Sequence, residues 1–208
     1  MKNEKDYKQD LAQIRSMMER SSKFMSLSGW AGIMAGVYAL TGAYVAYSFF
    51  GFNPDTLMYS VSDSTELQQN FPNVMMLGVL ILILAISTAV ALSSRFAVKK
   101  GEKVWNSASK QLVINMAGPL FAGGLLMLIL IAKGLLGLIA PVSLIFYGLA
   151  LFHASKFTFD DLKFLGLIQM ALGLLGAWFI EYGLLIWALG FGVVHIIYGI
   201  YLYYRYER

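Results

Sequence analysis

The stretch VMMLGVLILILAISTAVALSSRFAVKKGEK (residues 74–103) passes from unbroken apolar sequence into a cluster of cations. A helix needs about 20 apolar residues, at 1.5 Å each, to cross the ~30 Å hydrocarbon core of a bilayer. Residues 74–94 meet that length. Five further apolar stretches are found at about 27–50, 112–131, 135–152, 164–180 and 184–203. The sequence therefore predicts six membrane spans.

Composition favours the same class of protein. Apolar residues make up 58% of the 208-residue chain and charged residues 13%, whereas soluble domains carry about 25% charged residues. The polar–apolar alternation of membrane β-strands is absent. Because lipid offers no partner to an unpaired backbone amide, we expect helices. The predicted fold class is an all-α, polytopic integral membrane protein with six transmembrane helices.

The charges are sorted by side. Fifteen of the sixteen Lys and Arg residues, with eight acids, fall on one side of the six spans, a net charge of +7. The other side holds Lys133 with Asp55, Asp63, Glu66 and Glu181, a net charge of −3. Because cytoplasmic loops carry the excess of Lys and Arg, both termini are expected in the cytoplasm.

The predicted organisation has two parts. Residues 1–25 form an amphipathic N-terminal helix with Tyr7, Leu11, Ile14 and Met18 at helical spacing. Residues 26–208 form the membrane domain, in hairpins at about 26–95, 110–156 and 162–205. The N-terminal helix has two interpretations, since it either lies on the anionic inner leaflet or packs on the protein's own loops. Both leave it a role in partner binding.

Proline and loop signals mark local features. Residues 51–73 are expected to form a long acidic outer loop, punctuated by Pro72 and containing a short helix from Asp63 to Gln69 with Asp63 as its cap. Residues 95–111 are expected to extend the helices on either side of them. Pro119 and Pro141 fall inside the third and fourth spans, where proline is expected to kink a helix.

Several residue pairs recur at a near-constant spacing. Gly124 matches Gly173 at an offset of 49, and the dipeptide at Tyr147 matches that at Tyr198 at an offset of 51. These matches predict three parallel in–out–in hairpins. The alternative is chance similarity among helices rich in glycine and leucine.

Small residues dominate the first span. Gly32 and Gly36 belong to a broad face of glycine and alanine, and small residues let helices approach closely in lipid. We expect this face to pack inside the bundle, or else in a homo-oligomer.

Polar residues within the spans are few. His195 and Gln169 are expected at the same middle depth on adjacent antiparallel helices, as either a substrate-contacting pair or a structural hydrogen-bonded pair. Asn115 and His153 are expected to face each other near the cytoplasmic ends of the third and fourth spans, or simply to be hydrated at the interface.

Other kinds of site find no support. No charged residue falls in the middle of a span, and the chain has no cysteine. No catalytic set, metal-ligand spacing or nucleotide-binding loop is recognisable. No cofactor, metal, enzymatic activity or nucleic-acid partner is therefore expected.

The segment RSMMERSSKF (residues 15–24), running into SGWAG (28–32), resembles small six-span membrane proteins of Bacteroidetes-type bacteria, to which no activity is assigned. The hairpins at 118–152 and 166–202 resemble the short-repeat acid-resistance membrane proteins. These resemblances imply a bacterial inner-membrane protein with three hairpins and no known catalytic residues.

Two functions are compatible with these features. The first is a non-enzymatic accessory or stress-linked protein that acts through lipids or through protein partners bound at span 1 or the N-terminal helix. The second is a small transporter, facilitator or channel with a mid-membrane site near His195 and Gln169.

Overall fold

The computed structural model describes residues 23–52, 65–101 and 103–208, the side chains of residues 65–69 excepted. Within these ranges every regular element is helical, which confirms the all-α class. The first five helices are α1 (Gly29–Phe50), α2 (Thr65–Lys99), α3 (Ser107–Ala132), α4 (Ile139–Ala154) and α5 (Leu162–Trp178). The predicted helix over residues 1–25 falls outside the described residues except at residues 23–25, which are not helical.

The last helix, α6, is built from four consecutive parts. They are an α-helix (Gly183–Trp187), a π-helix (Ala188–Val194), a second α-helix (His195–Leu202) and a final π-helix (Tyr203–Glu207). Short 3₁₀ turns at Leu136–Leu138 and Ile180–Tyr182 precede α4 and α6.

Five segments of the described chain are long and apolar enough to cross a membrane: Gly29–Phe50, Asn70–Lys99, Ser107–Ala132, Leu136–Phe157 and Ile180–Glu207. α5 is also apolar but has only 17 residues, about 26 Å at the α-helical rise.

One expectation about proline is wrong. The outer loop predicted at 51–73 ends by Thr65, where α2 begins, and Pro72 lies inside that helix. One proline removes a single hydrogen bond, which the polar first turns of α2 tolerate because they precede the unbroken apolar stretch at 74–94. Pro141 lies inside the fourth apolar segment, Leu136–Phe157, in the first α-helical turn after the 3₁₀ turn. Asp63, the predicted cap, lies outside the described residues.

Consecutive helices run in opposite directions, so that one end of the bundle collects the start of each odd helix and the finish of each even helix. We call this the basic end, since all the described Lys and Arg residues except Lys133 lie there. At the opposite end Gly134 turns the chain between α3 and α4 with φ of 72°, a conformation that glycine adopts without strain. The two 3₁₀ turns contact each other at that end.

The N-terminal segment is fastened to the turn between α4 and α5. The amide of Phe24 donates to the carbonyl of Phe157 (2.7 Å), and the Thr158 hydroxyl donates to the carbonyl of Phe24 (2.7 Å). Lys23 forms an ion pair with Asp160 at 2.9 Å. These contacts hold the entry to α1 against the α4–α5 turn.

The C-terminus joins the same turn. The Tyr206 hydroxyl donates to Asp161 (2.9 Å), which also forms an ion pair with Arg205 at 3.0 Å. The amide of Gly29 donates to the Glu207 carboxylate. The end of α6 is thereby tied both to α1 and to the α4–α5 turn.

Helix packing does not follow chain order alone. α1 lies between α2 and α6, while α6 also contacts α4 and α5, and α3 packs on α4. α2 and α3 therefore form the two flanks, and most of their surface is exposed in the monomer.

α4 and α5 cross at backbone contact. A β-carbon built on Gly148 would lie 2.5 Å from the carbonyl oxygen of Gly166, and one on Gly166 would lie 2.6 Å from that of Gly148. Further along, a β-carbon on Gly173 would lie 2.8 Å from the carbonyl oxygen of Pro141. Only glycine allows the helices to come this close.

α6 and α1 cross in the same register. A β-carbon on Gly199 would lie 2.6 Å from the carbonyl oxygen of Gly29, and one on Gly36 would lie 2.6 Å from that of Gly192. The small face predicted for span 1 is thus confirmed as a packing face inside the bundle. The equivalent contacts are Gly148–Gly166 with Gly199–Gly29, and Pro141–Gly173 with Gly192–Gly36. The matching positions of α4 and α6 are 51 residues apart in sequence, and those of α1 and α5 are 137 residues apart.

Candidate functional site

The two polar residues predicted at middle depth meet in the centre of the bundle. Gln169 lies midway along α5 and is 0% exposed; His195 lies midway along α6 and is 5% exposed. The amide nitrogen of Gln169 is 3.2 Å from Nδ1 of His195. The predicted proximity of this pair is confirmed, because the rise per residue fixes the depth of each side chain once the helix ends are known.

The carbonyl of Gly190 links the two side chains. It accepts a hydrogen bond from Nε2 of Gln169 (2.8 Å), and Nδ1 of His195 lies 2.9 Å away from it. Gly190 belongs to the π-helical part of α6. π-Helical turns are rare and often occur at functional sites, and here the turn supplies an acceptor to two neighbouring side chains.

Tyr147 of α4 completes the network. Its hydroxyl is 2.9 Å from Nε2 of His195. A carbonyl oxygen can only accept, so the proton of a neutral His195 is assigned to Nδ1, which donates to Gly190. Nε2 then accepts from the Tyr147 hydroxyl. In this tautomer the Gln169 amide and Nδ1 are both donors that share the Gly190 carbonyl.

Glycine is required at position 190 by its neighbours. A β-carbon there would lie 2.6 Å from a methyl group of Leu144 and 2.7 Å from Oε1 of Gln169. Leu144 is itself fully buried. The network is thus surrounded by packed atoms on the side that faces α4 and α5.

Aromatic rings cover the rest of His195. Phe191 stacks on the imidazole with ring centroids 5.7 Å apart and planes 19° apart, and Tyr147 lies 5.0 Å from Phe191. Trp187 contacts Phe191 in turn, at 5.1 Å. This environment favours the neutral imidazole, since a charged ring would have no carboxylate in the network to balance it.

Two buried polar atoms of the described chain have no hydrogen-bond partner: Oε1 of Gln169 and the hydroxyl of Tyr198. The first faces the backbone of Gly190, so it has weak Cα–H contact at best. Tyr198 lies one turn beyond His195, against the apolar cluster that includes Leu151 and Leu165.

The second predicted pair does not assemble. Asn115 donates to the carbonyl of Gln111 in its own helix (2.8 Å). His153 is exposed, and its ring meets Phe152 edge-on at 6.4 Å. No hydrogen bond joins Asn115 to His153, so the structure brings only Gln169 and His195 together.

Sequence reasoning did not find Tyr147 and Gly190 as members of the site. The available signal was the position of Tyr147, a phenol at middle depth of an apolar helix, where a hydroxyl needs a partner. Gly190 offered no signal, because its role depends on the π-helical turn. Among the described residues, no group of three or more His, Asp or Glu side chains is arranged to hold a metal ion.

Comparison with known proteins gives no relative: no protein-family model, no curated protein and no solved structure matches the chain.

Proposed function

We propose that the chain is a six-span protein of a bacterial plasma membrane, with both termini in the cytoplasm, which acts as a non-enzymatic accessory or stress-linked protein through lipids or partners. On this proposal the bundle interior is structural and the basic end is the working surface. The fold class and five apolar helices of spanning length are its starting point.

One observation supports this function above the transport alternative. The polar side chains at middle depth are engaged in bonds between helices, in a core packed at glycine contacts. Gln169 and His195 share one carbonyl, and the second ring nitrogen of His195 bonds to Tyr147. A transport site has to exchange such bonds with a passing solute, whereas these bonds join α4, α5 and α6.

The membrane arrangement is supported by geometry and charge. The helices alternate in direction, and the α4–α5 turn lies at the basic end with Phe24, which precedes α1, and Tyr206, near the end of α6. Such alternation supports α5 as a sixth span, since its 17 residues fall within the range of about 17–25 that spans adopt. The excess of cations at one end supports a cytoplasmic position for both termini.

The hairpin repeat is supported by the glycine contacts. α4 packs on α5 as α6 packs on α1, with matching residues at a constant offset. We propose that the hairpins α3–α4 and α5–α6 are copies of one unit. The second helix of the first copy, α4, packs on α5, and the second helix of the other copy, α6, packs in the same way on α1. Gly124, which matches Gly173 in sequence, meets no atom within 4 Å, so the copies differ in how their first helices pack.

The deciding experiment is solute flux through the purified chain in liposomes, compared with empty liposomes. We expect no flux of water, ions or small neutral solutes above the empty control. The matched variants are Gln169→Leu and His195→Leu, which remove the two polar groups of the core.

Flux that appears in the wild-type protein and is lost in both variants would overturn the accessory role in favour of a facilitator. Flux in neither the wild type nor the variants supports the proposal, provided that all three proteins are shown to be folded by their thermal unfolding curves.

A further inference from the structure

We infer that the connection between α2 and α3 at the basic end binds the headgroup of one anionic phospholipid, with the acyl chains lying along the exposed sides of these two helices. The inference rests on the proposed membrane arrangement and names the ligand of the proposed working surface.

The first argument is charge. Residues 95–110 carry five cations and one acid, a net charge of +4. All five cations are exposed. The ion pairs of the described residues join Lys23 to Asp160 and Arg205 to Asp161, so none of the five is neutralised by a described carboxylate. The five are Arg95, Lys99, Lys100, Lys103 and Lys110.

The second argument is that these cations stand on a fixed scaffold. Asn106 caps α3 by accepting from the amide of Ser109 (2.8 Å), whose hydroxyl accepts from the amide of Asn106 (2.9 Å). The Asn106 side chain also donates to the carbonyl of Lys103 (3.1 Å). On the other helix, buried Ser93 accepts from the amide of Ser28 (3.3 Å). A phosphate that contacts these lysines therefore meets a preformed surface, which lowers the entropic cost of binding.

The third argument is depth. Lys110 lies over the ring of Trp105 at 5.9 Å, and Lys100 lies over that of Phe96 at 4.3 Å. Trp105 is itself exposed. Tryptophan and lysine side by side at the end of an apolar helix are typical of the headgroup level, where the ring enters the acyl boundary and the ammonium meets phosphate.

The fourth argument is the surface below the cations. α2 packs on α1, and α3 packs on α4. α2 and α3 do not pack along each other, although only seven residues join them. The most apolar stretch of α2 has no buried residue. Both helices thus present apolar surface directly beneath the loop. A nucleic acid or an acidic soluble protein would match the charge but not this apolar surface, whereas a phospholipid matches both.

The test is binding of phosphatidylglycerol or phosphatidylcholine to the full-length chain in detergent micelles, measured by titration and by native mass spectrometry. The loop variant carries Lys100→Gln, Lys103→Gln and Lys110→Gln. The matched control carries Lys156→Gln, Lys163→Gln and Arg208→Gln, three exposed cations of the same end. A third protein carries Lys→Arg at the three loop positions and keeps the charge.

We expect the wild type to retain one phosphatidylglycerol in preference to phosphatidylcholine. The loop variant should bind it on the order of tenfold to a hundredfold more weakly, because each cation near an anionic headgroup contributes about fivefold. The control variant removes no cation of the α2–α3 connection and the arginine variant keeps the charge, so both should bind within about threefold of the wild type. Threefold corresponds to about 0.7 kcal/mol, less than one cation near an anionic headgroup contributes.

Equal losses in the loop and control variants would overturn the site, because binding would then follow the net charge of the whole end. So would equal binding of the two lipids. If the loop variant fails to fold, loss of binding in the arginine variant decides against the site, since folding and charge are retained there. Solute flux with an intact lipid preference would overturn the accessory role alone.

Discussion

Tyr147 and Tyr198 occupy matching positions before a glycine, yet their hydroxyls differ. The Tyr147 hydroxyl bonds to His195, whereas that of Tyr198 has no partner in the described chain. A buried hydroxyl that forms a hydrogen bond stabilises the fold. An unpaired buried hydroxyl destabilises it, because the group has lost its hydrogen bonds to water and formed none in their place. The two tyrosines are therefore a matched pair for measuring what the central network contributes.

We predict that Tyr147→Phe destabilises the protein by about 1 kcal/mol, because Nε2 of His195 loses the one hydrogen-bond donor that the described residues give it in a buried site. Tyr198→Phe should leave stability unchanged or raise it. Unfolding midpoints in one detergent measure both effects. Similar losses in both variants would show that the phenol ring, and not the bond to His195, is what matters at position 147.

The sequence predicts how deep in the bundle a side chain lies better than it predicts the helix face on which the side chain lies. Gln169 and His195 were predicted to meet because each lies a countable number of residues from a helix end. In α6, the face of the helix on which a residue lies cannot be predicted from its position in the sequence. The π-helical turn adds a residue to one turn and rotates all later side chains. Gly190 was missed for this reason, whereas the middle depth of Tyr147 in α4 was a signal present in the sequence.

At the level of helices, glycine sets the contacts. The two crossings, α4 on α5 and α6 on α1, use the same spacing of close-contact positions. The offset of 51 between Tyr147 and Tyr198 is also the offset between the matching contact positions of α4 and α6. The offset of 49 between Gly124 and Gly173 did not lead to equivalent contacts, because Gly124 faces open space and the neighbouring Gly123 meets Phe146 instead.

We predict that Gly148→Ala and Gly199→Ala each destabilise the protein by about 1–3 kcal/mol, since the new methyl group would push two backbones apart. Their effects should be similar, as the contacts are equivalent. Gly124→Ala is the control and should cost nothing, because a β-carbon there meets no atom within 4 Å. Thermal unfolding of the three variants measures the effects, and a large loss in one crossing with none in the other would contradict the repeat.

Helix ends were predicted well where charge marks them and poorly where proline does. The polar connection at 95–111 extends both neighbouring helices, as expected. Pro72 predicted a loop but lies inside α2. A proline in the polar turns that precede the unbroken apolar stretch at 74–94 breaks no hydrogen bond that the membrane requires.

At the scale of the molecule, the sorting of charge predicted which helix ends lie together. It did not predict the order of the helices, because that order follows from glycine contacts and from the contacts that hold residues 23–24 and the end of α6 to the α4–α5 turn. Phe159 in that turn stacks on Tyr206 with centroids 4.0 Å apart, which adds an aromatic contact to the ion pairs. The turn therefore joins α1 and α6 in the same region where α4 meets α5.

The number of spans depends on α5, and cysteine labelling decides it. The chain has no cysteine, so Lys156→Cys and Glu181→Cys each introduce a single reporter at an exposed position on either side of this helix. If α5 crosses the membrane, an impermeant thiol reagent added outside intact cells should label Glu181→Cys and not Lys156→Cys. Lys133→Cys is the control and should react like Glu181→Cys, since both lie at the end opposite the cations.

A helix of about 26 Å is shorter than a ~30 Å hydrocarbon core, and the 3₁₀ turn at Ile180–Tyr182 lengthens the crossing at its outer end. Equal protection of Lys156→Cys and Glu181→Cys would mean that α5 does not span, and the C-terminus would then lie on the opposite side from the α2–α3 loop.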